Sequence, residues 1–432
     1  MSKTDATGEP GATITAADFQ DSMYVNGSRK WVLLISLTSV FFLLFALYAG
    51  VLAVLLPNQI QSINPDNKSA GLAFVFAVTS VFSTLVTPMA GAFSDRTRTP
   101  WGRRAPWIVI GSLVGAVCLI LTSQMSTIPM ITLFWVGATI AFNSMQSAAN
   151  TLIADRFAPA ERGTASGFIG AGMTSGLTVG TIVAGLLASQ LVLAYSGFAI
   201  SVAIACLAFV FINPEPKTTL PKPDAFNLTD FLKSFWISPR KHPDFAWAFA
   251  GRFTIYMGYQ AVITYMLYIL QDYIGLSKTD ANTTIATLST ITFFALVFSA
   301  FSSGFLSDWL GKRKPLVFAA SIIMGLALTA PLILPTVQGM LIYAAVIGLG
   351  YGAFMSVDMA LMTQVLPKAD GEATGKDLGI LTTAVNIPQI LSPIWAAWLL
   401  NMTGDNYKVL FISAIAFVFA GSFFVLPIRS VK

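Results

Sequence analysis

Apolar stretches long enough to cross a bilayer recur along almost the whole chain, and this recurrence leaves few folds open. They begin near Trp31, Gly71, Ala105, Pro129, Thr164 and Leu191, and again near Phe245, Asn282, Pro315, Met340, Leu378 and Tyr407. A spanning helix needs about 20 residues at 1.5 Å per residue. Hydrocarbon offers no water to an unpaired peptide group, so runs of this length are read as helices that satisfy their own backbone. Hydrophobic residues make up 55% of the chain and charged residues 10%, against roughly 25% charged in soluble domains. That balance excludes a soluble enzyme and a nucleic-acid-binding domain. One long hydrophilic break, residues 213–244, carries Pro214, Pro216, Pro221, Pro223 and Pro239 among its charges. The expected plan is all-α, with twelve transmembrane helices. It comprises a tail at 1–30, a six-helix bundle at 31–212, a linker at 213–244, a second bundle at 245–428 and a tail at 429–432.

Basic residues are retained on the cytoplasmic side of a membrane. With both termini cytoplasmic, 21 of the 25 Lys and Arg residues fall on that side and only Lys68, Lys278 and Lys408 on the other, with Arg252 inside span 7. A missed or invented span would scramble every later loop, so this asymmetry supports both the orientation and the count. The net charge of +5 therefore marks a membrane side rather than a polyanion site. The first thirty residues lack the short apolar core of a cleavable signal peptide, and the first span is expected to remain as an anchor.

Several apparent sites dissolve on inspection. Cys118 and Cys206 lie in apolar runs and read as packing residues; His242, the one histidine, has no second ligand nearby. No metal and no cofactor are expected. Gly371 to Asp377 resembles a phosphate loop, but it has one residue too few between the glycines and lacks the Ser or Thr that holds magnesium. Gly348, Gly350 and Gly352 in span 10, like Gly172, Gly176 and Gly180 in span 5, suit helix packing rather than dinucleotide binding.

The loop after span 2 holds Gly91, Asp95, Arg96, Gly102, Arg103 and Arg104. The loop after span 8 holds Gly304, Asp308, Gly311, Lys312, Arg313 and Lys314. The two Gly-x-x-x-Asp units lie 213 residues apart, near half the chain, as a duplicated six-helix bundle would give. On these residues the chain resembles the major facilitator superfamily. Asp155 and Arg162, in Asp155-Arg156-Phe157-Ala158-Pro159-Ala160-Glu161-Arg162, form a second family-like element. The four extra residues between Asp95 and Gly102 look like those of the glycoside-pentoside-hexuronide and sucrose-proton symporters. The resemblance implies two pseudo-symmetric bundles that alternate access to a central cavity lined by helices 1, 4, 7 and 10. It also implies a latch between Asp155 and Arg103 or Arg104. Spans 2 and 4 contain no carboxylate between their ends, which speaks against a sodium site of the melibiose type.

A charge deep in a membrane is a functional hypothesis by default. Arg252 and Asp358 are two such charges, each roughly 10 Å deep at 1.5 Å per residue, and they could meet. Two readings stand: a structural salt bridge, or a proton switch in which protonated Asp358 releases Arg252. Tyr256 and Tyr259 share a helix face with Arg252, and Asn143, Gln146 and Asn150 share a face of span 4. Tyr351, Gln260, Asn386, Gln389 and Tyr48 add further donors and acceptors. Amides and aromatic rings together suit an uncharged, polyhydroxylated ligand, although any one amide could equally tie helices together. Asp95 and Asp308 are expected to dock against the positive starts of spans 11 and 5, near Asp377 and Gly163, closing the cytoplasmic side. The leading expectation is a monomeric, multi-pass cell-membrane carrier, no enzyme, that imports a sugar or glycoside with a proton. An exporter of drugs or metabolites is the first alternative, and a non-transporting receptor or scaffold the second.

Overall fold

The computed structural model describes residues 24–158, 161–216, 243–310, 313–365 and 375–428. Gly311, Lys312 and His242 lie outside the described residues, as do the side chains of Asp308, Asp377 and Asn386. Twelve helices follow in chain order: α1 Gly27–Ile63, α2 Lys68–Arg96, α3 Ala105–Gln124, α4 Ile128–Arg156, α5 Arg162–Leu186, α6 Leu191–Ile212, α7 Pro243–Thr264 with its extension Met266–Tyr273, α8 Lys278–Leu310, α9 Lys314–Ile333, α10 Val337–Val365, α11 Gly375–Thr403 and α12 Tyr407–Phe424. Each begins at, or up to four residues before, the apolar start read from the sequence. Ten of them are long and apolar enough to cross a membrane, and α7 makes an eleventh when its two pieces, bent by 51°, count as one span. The remaining helix, α11, carries Pro388 and Pro393 in its interior. The protein is thus a multi-pass membrane protein, with ten to eleven spans among the described residues.

Helix pairing repeats between the halves. In the first half α1 packs on α5 and α6, α4 on α2 and α3, and α3 on α6; in the second α7 packs on α11 and α12, α10 on α8 and α9, and α9 on α12. Across the halves α2 packs on α11 and α5 on α8, two pairs related by the repeat, and α1 touches α7. The two signature glycines occupy equivalent places: a Cβ on Gly91 would stand 3.2 Å from Ser147 Oγ of α4, and one on Gly304 3.3 Å from Ser356 Oγ of α10.

Lipid tails are as apolar as leucine, so close approach of backbones does much of the work of holding such helices together. Gly172, Gly176 and Gly180 form one stripe of α5, four residues apart, and α1 lies directly on it. A Cβ at Gly176 or Gly180 would overlap the carbonyl oxygen of Phe42 or Ala46. Gly348 and Gly352 do the same for α10 against Thr292 and Leu296 of α8, while Gly350 faces Met324 of α9. These glycines are contact surfaces, as their helical spacing implied.

Two helices are locally widened. Pro57 of α1 has no N–H to donate, and the turn before it, Val51–Leu55, relaxes into a π-helix. In α7 the break falls at Tyr265, and Ile269–Tyr273 again form a π turn.

Gly180→Ala should destabilise the protein by about 2 kcal/mol, because the obstacle is backbone and cannot rotate away. Gly167→Ala, on the same helix with nothing within 4 Å of the new Cβ, should leave stability unchanged. Thermal unfolding of the two variants in one detergent checks the contrast; equal melting temperatures would remove the close-approach argument.

Candidate functional site

Between the halves lies a cavity of about 370 Å³. It is walled by α1 (Tyr48, Leu52), α5 (Leu177, Thr178), α7 (Tyr259, Gln260), α8 (Leu288, Phe293) and α10 (Tyr343, Tyr351), with Phe76 from α2. Among the described residues, none of its lining side chains carries a charge. The wall is mostly apolar, its polar groups being threonines, tyrosine hydroxyls, one serine and one amide.

Behind this wall sits the buried ion pair. Arg252 Nε lies 3.3 Å from Asp358 Oδ2, and both side chains are at most 5% exposed. Arg252 also stands over the ring of Tyr256, 5.9 Å from its centroid. The Tyr256 hydroxyl is 3.3 Å from that of Tyr351 and donates to Met355 Sδ at 3.0 Å. Tyr351 in turn stacks on Tyr259, with centroids 4.5 Å apart and planes 12° from parallel. A chain of contacts therefore runs from Asp358 through Arg252, Tyr256 and Tyr351 to the cavity surface. Tyr256 does not line the cavity itself; it connects the ion pair to residues that do.

The polar residues singled out in the sequence thus separate into two groups. Tyr48, Tyr259, Gln260 and Tyr351 line the cavity; Asn143, Gln146, Asn150 and Gln389 do not. Asn143 is spent between helices: it accepts from the Tyr48 hydroxyl at 2.8 Å and donates to Ser83 Oγ at 2.6 Å, joining α1, α4 and α2. Asn150 and Gln389 are exposed. Helical phase alone could not tell an amide facing a cavity from one facing a neighbouring helix.

The first signature loop is a knot of charge. Arg104, almost fully buried, reaches Asp155 through Nε at 3.1 Å, Ser94 Oγ through Nη1 at 2.9 Å and Asp95 through Nη2 at 2.5 Å. Arg103 takes the other oxygen of Asp155 at 2.7 Å. Asp155 therefore has both arginines as partners. The sequence reading overlooked Glu215: its carboxylate accepts from the backbone N–H groups of Arg104 and Ala105 at 2.8 and 3.1 Å, capping α3 from the start of the linker. Gly102 has φ +96°, and any Cβ there would strike this carboxylate, which explains a glycine just before the arginines. Arg162 donates to the carbonyls of Ala154 and Phe157 and so caps α4. Arg96 donates to Ala92 O at 2.9 Å. In the second half Lys314 caps α12 through the carbonyls of Leu426 and Ile428, and Arg313 precedes α9. The expected docks of Asp95 on Asp377 and of Asp308 on Gly163 involve side chains outside the described residues.

At the end opposite Gly27 and Ile428 the halves are tied together. Lys68 pairs with Asp272 at 2.7 Å and lies over the Tyr268 ring, and Tyr407 donates to Asp272 at 2.8 Å. Asn58 donates to Asn282, Gln61 to Gln271, and Tyr268 to the carbonyl of Pro57. The Tyr265 hydroxyl is 3.0 Å from the carbonyl oxygens of Ser69 and Pro393. No sequence signal marked this seam beyond the presence of Lys68, one of the few basic residues on its side.

Arg104→Lys should lower stability nearly as much as Arg104→Ala, by about 3 kcal/mol, since an ammonium cannot serve three partners from one buried fork. Arg103→Ala, at a more exposed site, should cost about 1 kcal/mol; thermal unfolding ranks the three. At the other end, Asp272→Asn removes the negative charge shared by Lys68 and Tyr407. Spin labels at Asp66 and Asp405, which border one small pocket there, should then show longer distances. An unaltered distance distribution would mean that the ion pair does not hold this end shut.

Comparison with known proteins agrees with this architecture. The chain is 28% identical over 249 residues to the cis,cis-muconate transport protein of Acinetobacter baylyi, an alignment covering 54% of this chain and 57% of that relative. It is 23% identical over 372 residues to the class G tetracycline resistance protein of Vibrio anguillarum, covering 84% and 89%. Among solved structures it shares its fold with a D-xylose-proton symporter, with a TM-score of 0.67 at 15% identity over 93% of this chain and 98% of that one. The profile of the Major Facilitator Superfamily matches residues 34–393 and, overlapping, 283–432, so the chain belongs to the Major Facilitator Superfamily of membrane transporters.

Proposed function

We propose that the protein is a proton-coupled secondary transporter that carries an uncharged sugar or glycoside inward by alternating access, as a monomer with twelve spans and both termini cytoplasmic in a cell membrane. The single observation that carries the coupling is the buried Arg252–Asp358 pair and its connection through Tyr256 and Tyr351 to the cavity. In a low-dielectric site each charge is tolerable because the other is present. A proton on Asp358 removes its attraction for Arg252, leaving a buried cation with the Tyr256 ring beside it. Any shift of Arg252 then reaches Tyr351, on which a bound ring would stack. The reverse path lets an occupant of the cavity alter the hold of Arg252 on Asp358, which is the reciprocity that coupling requires. The closed seam around Lys68 and Asp272 corresponds to an inward-facing state in this orientation.

The uncharged character of the described cavity wall supports a neutral substrate. Its largely apolar surface also favours a second reading, an exporter of apolar drugs or metabolites, and the likeness to a tetracycline resistance protein is compatible with it. Direction separates the two: the importer accumulates substrate with an inward proton gradient, and the exporter expels it.

Asp358→Asn should mimic the protonated state. In proteoliposomes it should abolish accumulation against a gradient while leaving exchange of substrate within about twofold of the native rate, because exchange returns the loaded carrier without deprotonation. A variant that still concentrates substrate would end the proton-switch role; one that loses binding altogether would point to a structural bridge or a direct ligand contact.

A further inference from the structure

We infer that the mouth of the cavity is the seam between α5 and α8, that it opens toward the start of α5 and into water rather than lipid, and that Gly167 and Gly170 set its width. The cavity is skewed toward that seam. α5 contributes Thr174, Leu177, Thr178 and Thr181, and α8 contributes six residues between Ile285 and Leu296, making ten of the 24 lining residues. α2 contributes only Phe76, and α4 and α11 contribute none among the described residues. A cavity centred on helices 1, 4, 7 and 10, as the family resemblance implies, would have drawn on α4. The seam is shut at one end. A Cβ on Gly185 of α5 would stand 2.7 Å from the carbonyl oxygen of Asn282 near the start of α8, and the Asn282 side chain accepts from Asn58 of α1 at 2.8 Å. Gly185 lies one turn beyond Thr181 and Ile285 three residues beyond Asn282, so this contact closes the cavity directly on that side.

Toward the other end the same face of α5 stays open. Gly167, Gly170, Thr174, Thr178, Thr181 and Gly185 follow one another at intervals of three or four residues, the spacing of a single helix face. Gly185 meets α8, whereas a Cβ on Gly167 or Gly170 would meet nothing within 4 Å. A helix interior disfavours glycine. Close contact accounts for Gly172, Gly176, Gly180 and Gly185, but in this conformation none accounts for Gly167 or Gly170. Their missing side chains keep clear a passage that runs about 16 Å from Thr178 to Gly167 at 1.5 Å per residue. The hydroxyl-bearing residues at its inner end, Thr174 and Thr178 of α5 and Ser289 of α8, suit water. The exposed rings of Phe294, Phe298 and Phe301 lie on α8 outside the cavity lining, on the surface that suits lipid.

The test uses the full-length protein in nanodiscs, with Cys118→Ala and Cys206→Ala as background and single cysteines at Gly167, Gly170, Thr174, Thr178 and, as the bilayer-facing control one residue on, Val179. The probes are a trimethylammonium methanethiosulfonate, which hydrocarbon excludes, and the bilayer-soluble N-cyclohexylmaleimide. The charged reagent should modify the first four cysteines at rates within about tenfold of one another and Val179→Cys about a hundredfold more slowly. Adding Gly170→Trp should slow modification of Thr178→Cys about tenfold, because the indole is rigid and wide, while Gly197→Trp, whose side chain also enters open space but on α6, should leave the rate unchanged. Modification of Gly167→Cys and Gly170→Cys by the maleimide alone overturns the aqueous mouth in favour of a lipid one. A reactive Thr178→Cys beside unreactive cysteines at 167 and 170, or no reaction at any of the four, overturns the seam as the mouth. A rate at Thr178→Cys that Gly170→Trp does not change overturns the width-setting role. The cysteine series, which adds little volume, decides the location of the mouth even where the tryptophan lowers the melting temperature.

Discussion

In hydrocarbon a peptide group has no partner but another peptide group, and every helix of this protein therefore closes its own backbone ladder before it meets a neighbour. What remains for tertiary structure is shape and a few polar contacts. The fit of the glycine stripe on α5 to the carbonyl face of α1, and of Gly348 and Gly352 to α8, is the product of that restriction. Where a proline interrupts the ladder at Pro57, the helix widens rather than breaks, because the freed groups cannot turn to water.

The same scarcity of water governs the charges. Among the described residues, the buried ionic side chains are found with an opposite charge or a helix end, and each arrangement has a distinct consequence. Arg104 and Asp155 bind the first signature loop into a rigid corner, to which Glu215 attaches the start of the linker. Lys68 and Asp272 join the two halves at one end. Arg252 and Asp358 join helices within one half, and they alone among these pairs touch a path to the cavity. A pair that crosses between halves resists their movement, whereas a pair inside one half can change its protonation while that half moves as a body. This difference in placement, more than any difference in residue type, is why the coupling role is proposed for Arg252 and Asp358.

Much of the fold was legible in the sequence because hydrophobic length and basic-residue asymmetry are one-dimensional signals. The helix starts, the repeat between Gly91 and Gly304 and the packing role of Gly176 and Gly180 all follow from spacing along the chain. The site was less legible. Asn143 and Tyr48 both looked like cavity groups, yet they bond to each other, and only Tyr48 also reaches the cavity. Glu215 was one acid among several in a charged linker until its carboxylate was found on the start of α3.

The sequence by itself determined that this chain lives in a membrane, where its helices begin, that its halves repeat, and that Arg252 and Asp358 are exceptional. These follow from transfer energies and periodicities that each segment carries alone. Only the tertiary structure decided which polar groups face one another, which face the cavity, and which end of the bundle is closed. Those depend on the rotation of each helix about its axis and on the meeting of residues as distant as Lys68 and Asp272. Such meetings are set by the packing of all the helices together, and no single segment encodes them.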